Sequence, residues 1–116
     1  MKKIFHLSSC STCQKIIKET HAVSVCTLQD IKTESISETD LDWLAGKAGS
    51  YEALFSRRSL KYRAMGLHEK TLSENDYRSL ILQEYTFLKR PVIVVDDTVF
   101  IGNLAKTVAA AKAFLV

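Results

Sequence analysis

An α/β fold with one four-stranded mixed sheet is predicted by three observations. Short apolar runs of strand length occur in pairs at the two ends of the chain, Lys3–Leu7 with Val23–Leu28 and Pro91–Val95 with Thr98–Ile101. A helical pattern separates the first pair and another follows the second. Between the pairs lie Ser-capped helical patterns and no strand pattern. A chain of 116 residues is long enough for one compact core and too short for two.

Taken in order, Lys3–Leu7 reads as a buried strand. Ser11–Thr20 sets Ile16 and Ile17 among polar residues, an amphipathic helix that His21-Ala22 breaks. Val23–Leu28 alternates and is rich in β-branched residues, a second strand, and the polar stretch Gln29–Glu34 follows. Ser37-Glu38-Thr39-Asp40 has the form of a helix start, with the helix running through Leu41, Leu44 and Ala45 to Gly46 or Gly49. Trp43, at helical spacing on that segment, reads as packing between the helical block and the sheet. Ser50–Ser56 is a short helix or turn, and Arg57–Gly66 is a basic connector around another. Ser73-Glu74-Asn75-Asp76 opens a helix through Tyr77, Leu80, Ile81 and Tyr85. Pro91–Val95 is a fully apolar strand, Asp96-Asp97 its turn, and Thr98–Ile101 its hairpin partner. Gly102-Asn103 leads into a last helix, Leu104–Phe114. The order is β-α-β, a helical insert, then β-β-α, which is the thioredoxin layout. The expected core covers about residues 1–30 and 88–116, the insert about 31–87.

Composition narrows the function. Hydrophobic residues make up 47% and charged residues 25%, as in soluble globular proteins. A net charge of +3 is too small to argue for direct nucleic-acid binding. No apolar run approaches the ~20 residues of a membrane span. Lys2 and Lys3 precede only a brief apolar stretch before Ser8, so no signal peptide is expected. With three cysteines and no secretory signal, a reducing cytoplasm is the expected location, and there a CxxC pair is more often catalytic or metal-binding than structural.

Cys10 and Cys13 form that pair, at the junction of the first strand and first helix. A thiol at a helix start faces the positive end of the dipole and unbonded backbone N–H groups, which favour the reactive thiolate. The i, i+3 spacing puts both sulfurs on one side of the helix, so Cys10 can attack and Cys13 resolve the mixed disulfide. Zinc would need about four ligands, and the chain has no second CxxC and no HxxxH. Pro91, the only proline, opens a strand expected beside the first. Either its peptide bond is cis and faces the cysteine loop, or it simply starts a strand. Arg57, Arg58, Lys61, Arg63, Lys89 and Arg90 either converge on the thiol, where guanidinium groups suit an oxyanion or carboxylate, or form a solvated face. His6 either tunes the thiol or is a packed strand histidine. Cys26 reads as a buried small hydrophobe, and His21 and His68 as surface residues.

Three blocks in this order resemble the arsenate reductase (ArsC)/Spx family of the thioredoxin superfamily: Ser9-Cys10-Ser11-Thr12-Cys13-Gln14-Lys15; Tyr51–Ser59 with Tyr62-Arg63; and Leu88-Lys89-Arg90-Pro91-Val92-Ile93 leading to Val99–Gly102. The resemblance spans nearly the whole chain. It implies that Cys10 is the nucleophile and that Arg90 approaches it beside a cis-proline. The implied site has Cys10, Cys13 and Arg90 as catalytic residues, with Arg58, Ser11, Thr12, Pro91 and His6 around an anionic substrate. The arsenate reductase branch places arginines at Ser56 and near Asn103, so of its three only Arg90 is matched strictly. The Spx branch shares the CxxC and the Arg58-Ser59 pair, but its glycine for contacting RNA polymerase falls on Ser50 and its longer C-terminal tail is missing. The implied activity is a thiol oxidoreductase acting on arsenate or a mixed disulfide. It would use glutathione or glutaredoxin as electron donor and hold no bound cofactor. The alternative is a redox-sensing regulator that binds the RNA polymerase α subunit.

Overall fold

The structure is a computed structural model that describes residues 2–21 and 24–115. Its chain divides into two compact units, residues 1–34 with 90–116, and residues 35–89.

The first unit carries the sheet. Strands β1 (Lys2–His6), β2 (Thr27–Asp30), β3 (Val92–Val95) and β4 (Thr98–Ile101) lie in the order β2-β1-β3-β4. β1 runs parallel to β2 and antiparallel to β3, and β3 pairs antiparallel with β4. Helix α1 (Ser11–Glu19) makes the crossover from β1 to β2, and the last helix, α5 (Ala105–Leu115), follows β4. Parallel neighbours need such a crossover, whereas β3 and β4 need only the tight turn in which Asp96 takes a positive φ of 52°. Successive strand residues face opposite sides. Ile4, Ile93 and Val95 therefore share one face, where they form a core with Ile16 and Ile17 of α1 and Ala111 and Leu115 of α5.

The second unit is helical: α2 (Glu38–Ala48), α3 (Leu60–Ala64) and α4 (Glu74–Gln83), with single 3-10 turns at Glu52–Leu54, Leu67–Glu69 and Tyr85–Phe87. The Ser37 Oγ accepts the Asp40 N–H at 3.1 Å, and α2 stops at Gly49, whose φ of 97° suits glycine. Phe55 stacks on Phe87 at 5.0 Å and packs against Tyr77 at 4.9 Å, over buried Leu41, Leu44, Leu54 and Ile81. Among the described residues, no helix is long and apolar enough to cross a membrane.

The architecture is the expected four-stranded thioredoxin-like sheet with helices between its halves, and three details differ. The second strand begins at Thr27 instead of Val23 and continues through Gln29 and Asp30; Ala22 and Val23 themselves lie outside the described residues. Its polar residues are usable in a strand because their side chains bond the turn that follows. The Gln29 amide donates to the Glu34 carbonyl at 3.0 Å, and the Asp30 carboxylate accepts the Lys32 N–H at 3.2 Å. Cys26 precedes the strand and is half-buried, packed at the edge of the core. Trp43 is a surface residue with 37% exposure, and the Lys47 ammonium sits 5.6 Å from its ring centre, so it is no core packer.

Candidate active site

β1 ends at His6, and Leu7–Ser9 turn the chain into α1, with Cys10 as N-cap residue. The turn is closed by the Cys10 N–H donating to the Leu7 carbonyl at 3.0 Å. The first intrahelical bond runs from the Gln14 N–H to the Cys10 carbonyl at 3.1 Å. The N–H groups of Ser11, Thr12 and Cys13 are therefore left unbonded by the helix and point toward the Cys10 end. The first turn holds no acidic residue that would compete with an anion there. The loop is tied to β2 as well, since the Ser8 N–H donates to the Asp30 carboxylate at 3.4 Å.

The two thiols differ in exposure and chemistry. Cys10 is half-buried and Cys13 is fully buried on the inner side of α1, and both are free thiols. Burial by itself raises the Cys10 pKa. The Cys13 N–H, the Cys13 thiol and the Arg90 guanidinium outweigh it and bring the Cys10 thiol below its ordinary value of 9.0. The resting Cys10 thiol makes no capping hydrogen bond, so these donors gain most once the sulfur is charged. Burial pushes Cys13 the other way, up to about 11. The Leu7 backbone lowers it, and the neighbouring Cys10 charge raises it further. The pair is thus split into an accessible thiolate-former and a buried thiol that keeps its proton.

Arg90 stands just before β3, and its guanidinium bears on both cysteines. The Arg90-Pro91 peptide bond is cis and Pro91 is buried. His6 is buried at the end of β1, and its Nδ1 lies 3.3 Å from the Gln14 side-chain nitrogen. Ser11 and Thr12 are exposed on the first turn of α1, between the two cysteines. Cys10, Cys13, Arg90, Pro91, Ser11, Thr12 and His6 therefore all belong to one end of the first unit. Arg58 belongs to the second. Its side chain is exposed and, among the described residues, makes no hydrogen bond or ion pair.

The basic stretch around Arg58 is partly committed to the fold. Arg57 is held by Glu52 at 2.6 Å and by the Tyr77 hydroxyl at 3.0 Å, and Lys61 pairs with Glu84 at 3.2 Å. Ser59 caps α3, and its buried hydroxyl shares a 2.7 Å hydrogen bond with Thr86. A groove of about 630 Å³ runs between α1 and α5, and neither cysteine of the pair lines it. Ile16 and Val108 are among its apolar lining, Thr12, Asn103 and Lys112 bring polar groups to it, and Lys15 lies 3.9 Å from the Glu19 carboxylate there. Among the described residues there is no cluster of three or more His, Cys, Asp or Glu side chains fit to hold a metal. Sequence reasoning missed Gln14 as a side chain with a role of its own. The available signal was its position one turn after Cys10, which places it over the preceding loop.

Comparisons with known proteins agree with this fold. The fold matches an arsenate reductase from Vibrio cholerae with a TM-score of 0.80 at 17% identity, over 95% of this chain and 96% of that one. It matches an arsenate reductase (ArsC) related protein from Brucella melitensis with a TM-score of 0.72 at 22% identity, over 94% and 92% of the two chains. A Staphylococcus aureus protein matches with a TM-score of 0.74 at 25% identity, over 92% and 94%. No curated protein sequence gives a significant match. The ArsC family model aligns with residues 5–111, a span that holds Cys10, Cys13, Arg90, the end of β1 and all of β2, β3 and β4, and the chain is a member of the ArsC family.

Proposed function

We propose that the protein is a thiol oxidoreductase that reduces a mixed disulfide, or arsenate, through Cys10. The observation that carries this reading is the split between the cysteines: the half-exposed Cys10 shifted down and the buried Cys13 pushed up to about 11. A nucleophile must be ionised and reachable, and a resolving thiol must wait its turn.

On a mixed disulfide, the Cys10 thiolate attacks one sulfur and a Cys10–S–S–R bond forms as the substrate S–S bond breaks. The leaving thiolate takes a proton from water. Cys13 then gives up its proton and attacks the Cys10 sulfur, releasing the second thiol. Two electrons have passed from the protein dithiol to the substrate, and a Cys10–Cys13 disulfide remains. Glutathione or glutaredoxin supplies two electrons to restore the dithiol. Arg90 binds the anionic partner, an oxyanion or a glutathione carboxylate.

A turnover panel with arsenate and a glutathione mixed disulfide tests the proposal, comparing wild type with Cys10→Ser and Cys13→Ser. Cys10→Ser is expected to abolish turnover, and Cys13→Ser to lower it unless free glutathione resolves the intermediate. Disulfide-dependent binding to the C-terminal domain of the RNA polymerase α subunit, with turnover of neither substrate, would select the Spx-type regulator instead.

A further inference from the structure

Leu7 is where the two cysteines meet one residue, through the two peptide planes on either side of its Cα. Its carbonyl accepts the Cys10 N–H at 3.0 Å, and its own backbone hydrogen-bonds the Cys13 sulfur. The same carbonyl accepts a second bond, from the Gln14 side-chain amide at 3.1 Å. That amide nitrogen also lies 3.3 Å from Nδ1 of His6. An amide nitrogen has two protons to donate and no lone pair to accept with. Both contacts are therefore donated by this nitrogen: the Leu7 carbonyl takes one proton and His6 Nδ1 takes the other. The imidazole then accepts at Nδ1 and carries its proton on Nε2.

We propose that Gln14 is a positioning residue for the dithiol: its amide clamps the Leu7 carbonyl and His6 Nδ1 together, fixing the residue on whose backbone both cysteines are hung. Gln14 does not touch the reacting sulfurs. It acts through a relay in which the Leu7 backbone holds Cys13 and the Cys13 thiol donates toward Cys10. Chains of this kind strengthen one another, and loosening one end weakens the donor at the other. The clamp is distinct from the helix-terminus effect, which rests on the N–H groups of the first turn and needs no side chain. The proposal rests on the reductase reading only in taking Cys10 as the attacking thiol.

The test replaces Gln14 with Met, which keeps the length and removes both donors, and with Ala, a strong helix former at this exposed helical position. Two readouts are taken on the reduced, full-length protein. The first is the pH profile of Cys10 alkylation, in wild type and in a Cys13→Ala background. The second is the ¹⁵N shift of the His6 ring nitrogens. In the Cys13-containing protein, Gln14→Met is expected to move the Cys10 profile upward by about half a pH unit, roughly a threefold loss of alkylation rate below the pKa. In the Cys13→Ala background the shift should be clearly smaller, because the route through the Cys13 thiol is cut. The wild-type His6 spectrum should show the proton on Nε2, and that preference should weaken in both Gln14 variants. General damage to the helix would shift Cys10 equally in the two backgrounds. An equal shift, no shift at all, or a His6 proton on Nδ1 in wild type would each overturn the proposal. The wild-type alkylation profile reports separately on the reductase reading, which fails if Cys10 titrates as an ordinary thiol, while the His6 spectrum still decides the clamp.

Discussion

Arg90 meets two demands with one group. Its guanidinium favours the Cys10 thiolate, and the same fork can accept the charge of an incoming oxyanion or carboxylate. Charge-assisted hydrogen bonds contribute roughly 1.5–3 kcal/mol, so Arg90→Ala is expected to weaken anion affinity about tenfold to a hundredfold, measured by titration or as a rise in KM. It should also move Cys10 alkylation to higher pH. Arg90→Lys keeps the charge, loses the fork and should be clearly impaired too. Arg63→Ala, on an exposed residue of α3, is the control, and equal mild effects from Arg63→Ala and Arg90→Ala would mean that the basic residues act only as a solvated surface. At this scale the cysteine pair was readable from spacing alone, because a CxxC at a strand–helix junction has few other uses. Arg90 was readable only through its motif, since a lone arginine before a strand looks like any surface charge. Gln14 carried no chemical signal. Its role comes from which carbonyl and which ring nitrogen the fold places beside it.

Helix boundaries were legible where side chains enforce them. Ser73 is the clearest case: its hydroxyl accepts the Asp76 N–H at 3.2 Å while the Asp76 carboxylate accepts the Ser73 N–H at 2.9 Å. This reciprocal pair satisfies donors that the first turn of α4 would otherwise leave open, and α4 carries the buried Tyr77 and Ile81. Ser73→Ala is therefore expected to cost about 1 kcal/mol, read as a lower urea midpoint with an unchanged slope. A changed slope, or no loss, would mean the cap is not holding the helix. β2 shows why other boundaries were not legible. Val-Ser-Val-Cys-Thr-Leu has better strand composition than Thr-Leu-Gln-Asp, yet the ladder pairs Lys3 with Thr27 and His6 with Asp30. Register was set by the α1 crossover and by bonds from Gln29 and Asp30 to the following turn, and tertiary context outweighed propensity.

For the molecule as a whole, the order of elements was enough to place a four-stranded sheet. A βαβ crossover makes parallel neighbours and a tight Asp-Asp turn makes antiparallel ones. The pairing of β1 with β3 joins distant parts of the chain and leaves no local trace, so only the thioredoxin layout supplied it. The split thiol pair gives folding itself a pH signature. Below about pH 9, the folded protein has already released the Cys10 proton over a range where the unfolded chain, with its ordinary value of 9.0, still holds it. The unfolded state then binds more protons, and stability rises with pH. Above about 9 the sign reverses. The unfolded chain loses the Cys13 proton while the folded protein keeps it to about 11, so stability falls across that window. The full shift of Cys13 corresponds to at most about 3 kcal/mol. The dithiol contribution should therefore peak near pH 9. Urea unfolding under reducing conditions, from neutral pH to about 11, resolves it when wild type is compared with Cys10→Ser and Cys13→Ala, since tyrosines and lysines titrating in the same range cancel in the difference. Cys10→Ser should remove the rising limb and Cys13→Ala the falling one. A difference curve that climbs steadily through pH 11 would mean that Cys13 ionises together with Cys10, and the division into nucleophile and waiting thiol would be lost.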